Sequence, residues 1–84
     1  MPSYLVESYV PHSLAQDAHT VGRRARAVAE RLSREGVAVR HVRTTFVPDD
    51  ETCFHFFEAE SKEAVREVCR RAGIASARIV PTVE

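Results

Sequence analysis

Long apolar runs, a charge excess and a cysteine framework are all missing from this chain, and each absence removes a class of function. No stretch approaches the roughly 18 consecutive apolar residues of a membrane-crossing helix. Twelve basic side chains balance twelve acidic ones, whereas a dedicated nucleic-acid binder usually carries a basic excess. The halves barely differ: residues 1–42 hold six basic and four acidic side chains, residues 43–84 six and eight, which is +2 against −2. The arginines of the first half therefore read as a solvated helix face rather than a nucleic-acid patch. Two cysteines, Cys53 and Cys69, with no Cys-x-x-Cys, make no disulfide framework, and reduced thiols are expected. The segment from Met1 to Leu5 has no charged stretch leading into an apolar one, so the expectation is a cytoplasmic protein without a secretion signal. No Gly-rich phosphate loop, Gly-x-Ser-x-Gly or His-Glu-x-x-His is present. Lysine is nearly absent as well: Lys62 stands alone among eleven arginines, a bias of composition rather than of chemistry.

What is present fits one small globular domain. The chain has 84 residues, 44% hydrophobic and 29% charged, too apolar for disorder. Its short length limits its own core, and small chains without disulfides often gain burial by pairing with a copy of themselves.

Tyr4 to Val10 has strand composition and stops at Pro11. Ser13 with Gln16 three residues on matches a capping box. Leu14, Ala18, Val21, Ala25, Val28 and Leu32 then draw one apolar stripe at helical spacing, and Gly36 follows as a C-cap. These signals predict one helix over residues 13–35. Gly22 inside it costs up to about 1 kcal/mol against alanine, which close packing on a sheet would justify. Val37 to Val47 alternates and is β-branched. Pro48-Asp49-Asp50-Glu51 is an acidic turn without the ligand spacing of a calcium loop. Thr52 to Ala59 reads as the second arm of a hairpin. Ser61 caps a second helix to Arg71, whose apolar face is Ala64, Val65, Val68, Cys69 and Ala72, and Gly73 ends it. Ile79 to Val83 is a last strand, at an edge because of Pro81. The order strand–helix–strand–strand–helix–strand is the split βαβ, ferredoxin-like α+β pattern: a four-stranded antiparallel sheet with both helices on one face.

The strands are apolar on both faces, so the uncovered face needs a cover. The simplest is the same face of a second copy, giving a homodimer with an α/β barrel-like interior. Polar residues on these strands then stand out. With Val6 and Val10 toward the helices, Glu7 looks into the dimer cavity. A four-residue turn pairs Phe46 with Cys53, Thr44 with His55 and Val42 with Phe57, placing Cys53, His55, Thr44 and Phe46 on one face and His41, Arg43 and Thr45 on the other. First and third strands are neighbours, so Glu7 and His55 are expected to meet. The candidate ligand-binding set is Glu7, Thr44, Cys53 and His55; the candidate metal set is Glu7, His41 and His55. A carboxylate and an imidazole in an apolar cavity serve as an acid–base pair, as metal ligands, or as a structural hydrogen bond across an interface. His12 and His19 read as solvent-exposed, though borderline-soft imidazoles on a surface take up nickel or copper. Cys69 reads as a buried, inert thiol.

The segments Tyr4-Leu5-Val6-Glu7, Thr45-Phe46-Val47-Pro48, Asp50-Glu51-Thr52-Cys53, Phe57-Glu58-Ala59 and Ser61-Lys62-Glu63-Ala64-Val65-Arg66-Glu67 resemble a family of small bacterial domains of unknown function, described through a nickel-responsive representative. The resemblance spans residues 3–83. It implies a ferredoxin-like dimeric barrel and suggests nickel as the ligand, with Glu7 as the best-matching polar position. It also implies a histidine near Thr44 in the second strand, where this chain has threonine with His41 nearby. The leading expectation is thus a homodimeric binding protein for nickel or a small molecule. The alternatives are a dimeric-barrel enzyme, of the cofactor-free monooxygenase or isomerase type, using a His/Glu pair, and an interaction module without a ligand.

Overall fold

The computed structural model describes residues 1–83, and within them every side chain except those of His12, Ala15, Ser76 and Ala77. Six elements follow in the expected order: β1 (Ser3–Tyr9), α1 (Ala15–Arg34), β2 (Val39–Val47), β3 (Thr52–Ala59), α2 (Lys62–Ala72) and β4 (Ser76–Thr82). The sheet is antiparallel throughout, in the order β2-β3-β1-β4. Both helices pack on one face and share one core with Val6, Phe57, Ala59 and Ile79. Burial of a side chain such as Leu32 or Phe57 stabilises the fold by about 1.5–3 kcal/mol. No helix among the described residues is long and apolar enough to cross a membrane.

The helix boundaries show which sequence signals the backbone used. Ser61 accepts the Ala64 amide at 3.2 Å and starts α2. Gly73, at φ 71°, closes it. Gly36, at φ 101°, ends α1 in a Schellman arrangement: its own amide bonds the Ser33 carbonyl and the Val37 amide the Leu32 carbonyl. The Ser13–Gln16 capping box does not form. The Leu14 amide bonds the Pro11 carbonyl at 2.8 Å, a 3₁₀ turn occupies His12–Leu14, and α1 begins at Ala15 without a side-chain cap. At the other end of the chain, β4 opens at Ser76 rather than Ile79, which brings Arg78 into the sheet opposite Glu7. Pro81 lies on this edge strand, as expected.

One irregularity in the hairpin changes the faces of β2. The register shifts between His41 and Arg43, so His41, not Val42, pairs with Phe57. Val42 is the extra residue of a β-bulge. Thr44 opposite His55 and Phe46 opposite Cys53 stand as expected, but His41 moves onto the same face as Thr44. Strict alternation had placed it on the opposite face.

Gly22 is where α1 touches this strand. A Cβ there would lie 3.0 Å from both Thr44 Cβ and Thr44 Oγ1. Gly22→Ala gains about 1 kcal/mol of helix propensity, yet overpacks a contact held from both sides. A net loss of about 1–2 kcal/mol is expected, read as a lower urea midpoint at unchanged slope.

Candidate functional site

The bulge and the glycine contact together assemble a polar chain in an otherwise apolar layer. Arg26 Nε donates to His41 Nδ1 at 3.3 Å. His41 Nε2 lies 2.8 Å from Thr44 Oγ1, Thr44 Oγ1 2.8 Å from His55 Nδ1, and His55 Nε2 3.3 Å from Ser8 Oγ. A guanidinium only donates, so Arg26 fixes the direction. Neutral His41 keeps its proton on Nε2 and donates it to Thr44. The Thr44 hydroxyl donates to His55 Nδ1, and His55 Nε2–H donates to Ser8. This network-assigned arrangement uses each imidazole once as donor and once as acceptor. Among the described residues no buried side-chain nitrogen or oxygen lacks a partner.

Burial sets the electrostatics. His55 is fully buried and His41 nearly so. Desolvation, with the Arg26 charge added at His41 and the His41 charge at His55, lowers both imidazoles from 6.5 to about 4. Both are neutral at physiological pH. His41 also packs edge-on against Phe57, with ring centroids 5.4 Å apart.

Above this chain lies a cleft of about 400 Å³ between α1 and the outer edge of β2. Ala18, Gly22 and Phe46 give it apolar walls, His41 and Thr44 line it where they join the relay, and His19, Arg23 and Arg26 stand along its α1 side. Arg26 Nη2 also bonds the Val42 carbonyl at 3.1 Å, so the bulge and the helix hold one guanidinium between them.

The expected site residues separate. Thr44 and His55 are joined by a hydrogen bond, and His41 joins them through the bulge. Cys53 is fully buried beside Val10, Ala18 and Phe46, and desolvation raises its thiol above the usual range. Glu7 does not meet His55. In β1 it is Val6 that pairs with His55, while Glu7 pairs with Phe54 and faces the opposite side of the sheet. There its carboxylate holds Arg78 Nε at 2.6 Å. Neither the Glu7–His55 pair nor a Glu7–His41–His55 metal set is thus possible within one chain. The open face also carries Arg43, with its guanidinium 4.0 Å from the Phe56 ring centre, and the Arg40–Glu58 pair at 2.8 Å. His19 is exposed, and the His12 side chain lies outside the described atoms. Cys69 is buried, its thiol pushed up to about 11 by desolvation. Sequence reasoning missed Arg26 and Ser8. The signal for Arg26 was its place one helical turn after Gly22, on the face that approaches β2; Ser8 carried none.

These features define a small ferredoxin-like α+β domain whose helix-side layer holds a histidine relay beside a basic cleft. The sequence matches the family described as "Nickel responsive protein SCO4226-like" over residues 4–82, and the chain belongs to that family, whose description points to a nickel-related role. Among solved structures the chain is similar to the one titled "Crystal structure analysis of SCO4226 from Streptomyces coelicolor A3(2)", at 19% identity and a TM-score of 0.62, covering 98% of this chain and 99% of that one; at that identity the likeness shows a shared fold. Comparison with curated proteins gives no match.

Nickel does not fit the donor set within one protomer. Among the described residues no three His, Cys, Asp or Glu side chains come together as a metal-holding group. The two imidazoles are engaged with Thr44, and the charge nearest His41 is a guanidinium, which opposes a divalent cation.

The relay predicts an acid-sensitive fold. Between pH 6.5 and about 4 the unfolded chain binds protons at His41 and His55 that the folded chain does not. Their contribution is therefore complete above pH 6.5 and lost as the pH falls toward 4. The urea midpoint is expected to be lower at about pH 4.5 than at about pH 7. Replacing both histidines by glutamine should flatten that dependence.

Proposed function

We propose that the protein is a cytoplasmic homodimeric small-ligand-binding protein, with its ligand seated in the cleft between α1 and β2. The observation that carries this reading is the cleft itself. It falls within the size range of small-molecule sites, and it joins apolar walls to a few fixed polar groups, the usual make-up of a ligand pocket. The relay beneath it locks His41 and Thr44 in place. The same relay speaks for binding over acid–base catalysis, because imidazoles held near 4 are weak bases at neutral pH. The family's nickel is carried over only as a probe, since the relay offers it no charge partner.

Titration with a library of small organic compounds of either charge and none, followed by amide chemical shifts, tests the cleft. Binders are expected to move the amides of Gly22, His41 and Thr44. A screen in which no compound moves them overturns the reading. Calorimetric titration with nickel chloride is expected to give the same binding for the wild type and for the variant with His41 and His55 both replaced by glutamine; weaker binding in that variant overturns the exclusion of the relay as a nickel site.

The homodimer rests on the open sheet face, where Leu5, Phe54, Phe56 and Val80 lie half-buried and Tyr9 is 64% exposed. Glu7 and Arg78 sit among them, and their pairing fits a role in setting the register of the two copies. Light scattering is expected to give twice the 9.4 kDa chain mass, and Phe56→Glu to return it to the monomer. A wild-type monomer at high concentration overturns the pairing.

A further inference from the structure

The lining of the cleft selects the charge of what enters it. No aspartate or glutamate lines it, whereas Arg23, Arg26, Arg43 and His19 do. Arg40, Arg66, Arg70, Arg71 and Arg78 are each engaged by a glutamate elsewhere on the molecule, whereas Arg24, Arg31, Arg34 and Arg43 have no carboxylate partner among the described residues. Arg23 and Arg26 also have no carboxylate partner among the described residues, and they stand three apart on one helix face, where like charges are neighbours. Arg26 is also oriented in advance. Its Nε holds His41 and its Nη2 holds the Val42 carbonyl, which fixes the guanidinium plane and leaves its remaining N–H groups without a protein acceptor among the described residues. A guanidinium held in this way loses little freedom on binding an oxyanion, and its planar fork matches carboxylate and phosphate oxygens. Phe46, Ala18 and Gly22 complete the enclosure with apolar surface.

We propose that the cleft takes a small organic oxyanion, a carboxylate or phosphate on a compact apolar body, with Arg26 as the oriented clamp and Arg23 as the second cation. This rests on the small-ligand reading above and names the class of ligand. The relay then has a positioning role: it holds His41 Nδ1 as an acceptor, and that acceptor fixes Arg26.

Three probes of one shape and different charge test it: benzoate, benzamide and benzamidine, each titrated into the full-length protein while amide shifts are followed. Benzoate is expected to move Gly22, His41 and Thr44, to bind at least about tenfold more tightly than benzamide, and to weaken as salt rises from about 50 to about 500 mM. Benzamidine is expected to leave these amides unmoved. Equal binding of benzoate and benzamide overturns the charge selection and leaves the small-ligand reading standing. Silence from all three overturns the inference, and the wider compound screen then judges the parent reading separately. Phenyl phosphate in place of benzoate distinguishes the two oxyanions, and tighter binding of either supports the class. Arg23→Gln, on the exposed helix face, keeps the test open should Arg26→Gln disturb the fold. Several-fold weaker benzoate binding in Arg23→Gln is expected, and unchanged affinity in both variants overturns the assignment.

Discussion

The seat of α1 on Thr44 is the contact from which the rest of the helix-side layer follows. At residue 22 the helix presents bare backbone, and a Cβ added there would lie only 3.0 Å from Thr44 Cβ and Oγ1. That approach sets the half-buried Thr44 hydroxyl between two imidazoles, where the three groups satisfy one another. It also sets the height of the helix over the outer strand, and with it the depth of the neighbouring cleft. An isolated buried imidazole would tend to recruit water or a proton. Here the hydroxyl, able both to donate and to accept, is the smallest group that can join two neutral rings.

Much of the architecture was legible in the sequence because it is written in local signals. Thr52–Ala59 was bounded correctly by its polar turn and by Ser61. The second helix carried both its cap serine and its terminal glycine. The topology followed from the order of the elements alone. Where two local signals competed, the reading failed: Pro11 offered a carbonyl to Leu14, and this tighter turn prevailed over the Ser13–Gln16 box. The start of β4 was missed because Ser76 and Ala77 have little strand character, and the strand opens there through the pairing of Ser76 with Ser8 across an irregularity in the register rather than through propensity.

The site was legible only in part, for a different reason. Period-two reasoning sorts residues into faces correctly until a bulge inserts one residue, after which every assignment beyond it inverts. Thr44 and His55 lie on the turn side of the bulge and were paired correctly. His41 lies on the far side and was not. Glu7 failed for want of an anchor: its own face was read correctly, but His55 was matched to the cavity rather than to Val6, and only the β1–β3 register separates those choices. The groups bonded to His41 and His55 are uncharged or cationic (Arg26, Thr44 and Ser8), so the chemistry of this layer differs from what a nickel-associated family name suggests.

The rims of the sheet carry a consequence of their own. Along β2, the Val39 and Val42 carbonyls are already taken by Ser33 Oγ and Arg26 Nη2, and Val42 bends the strand out of regular pleat. Along β4, Pro81 brings a residue with no N–H to offer a further strand. Both outer strands therefore make poor templates for the edge-to-edge growth that turns small sheets into fibres. A chain this short, with so much apolar surface on its strands, is thereby guarded at its strand edges against polymerising sideways.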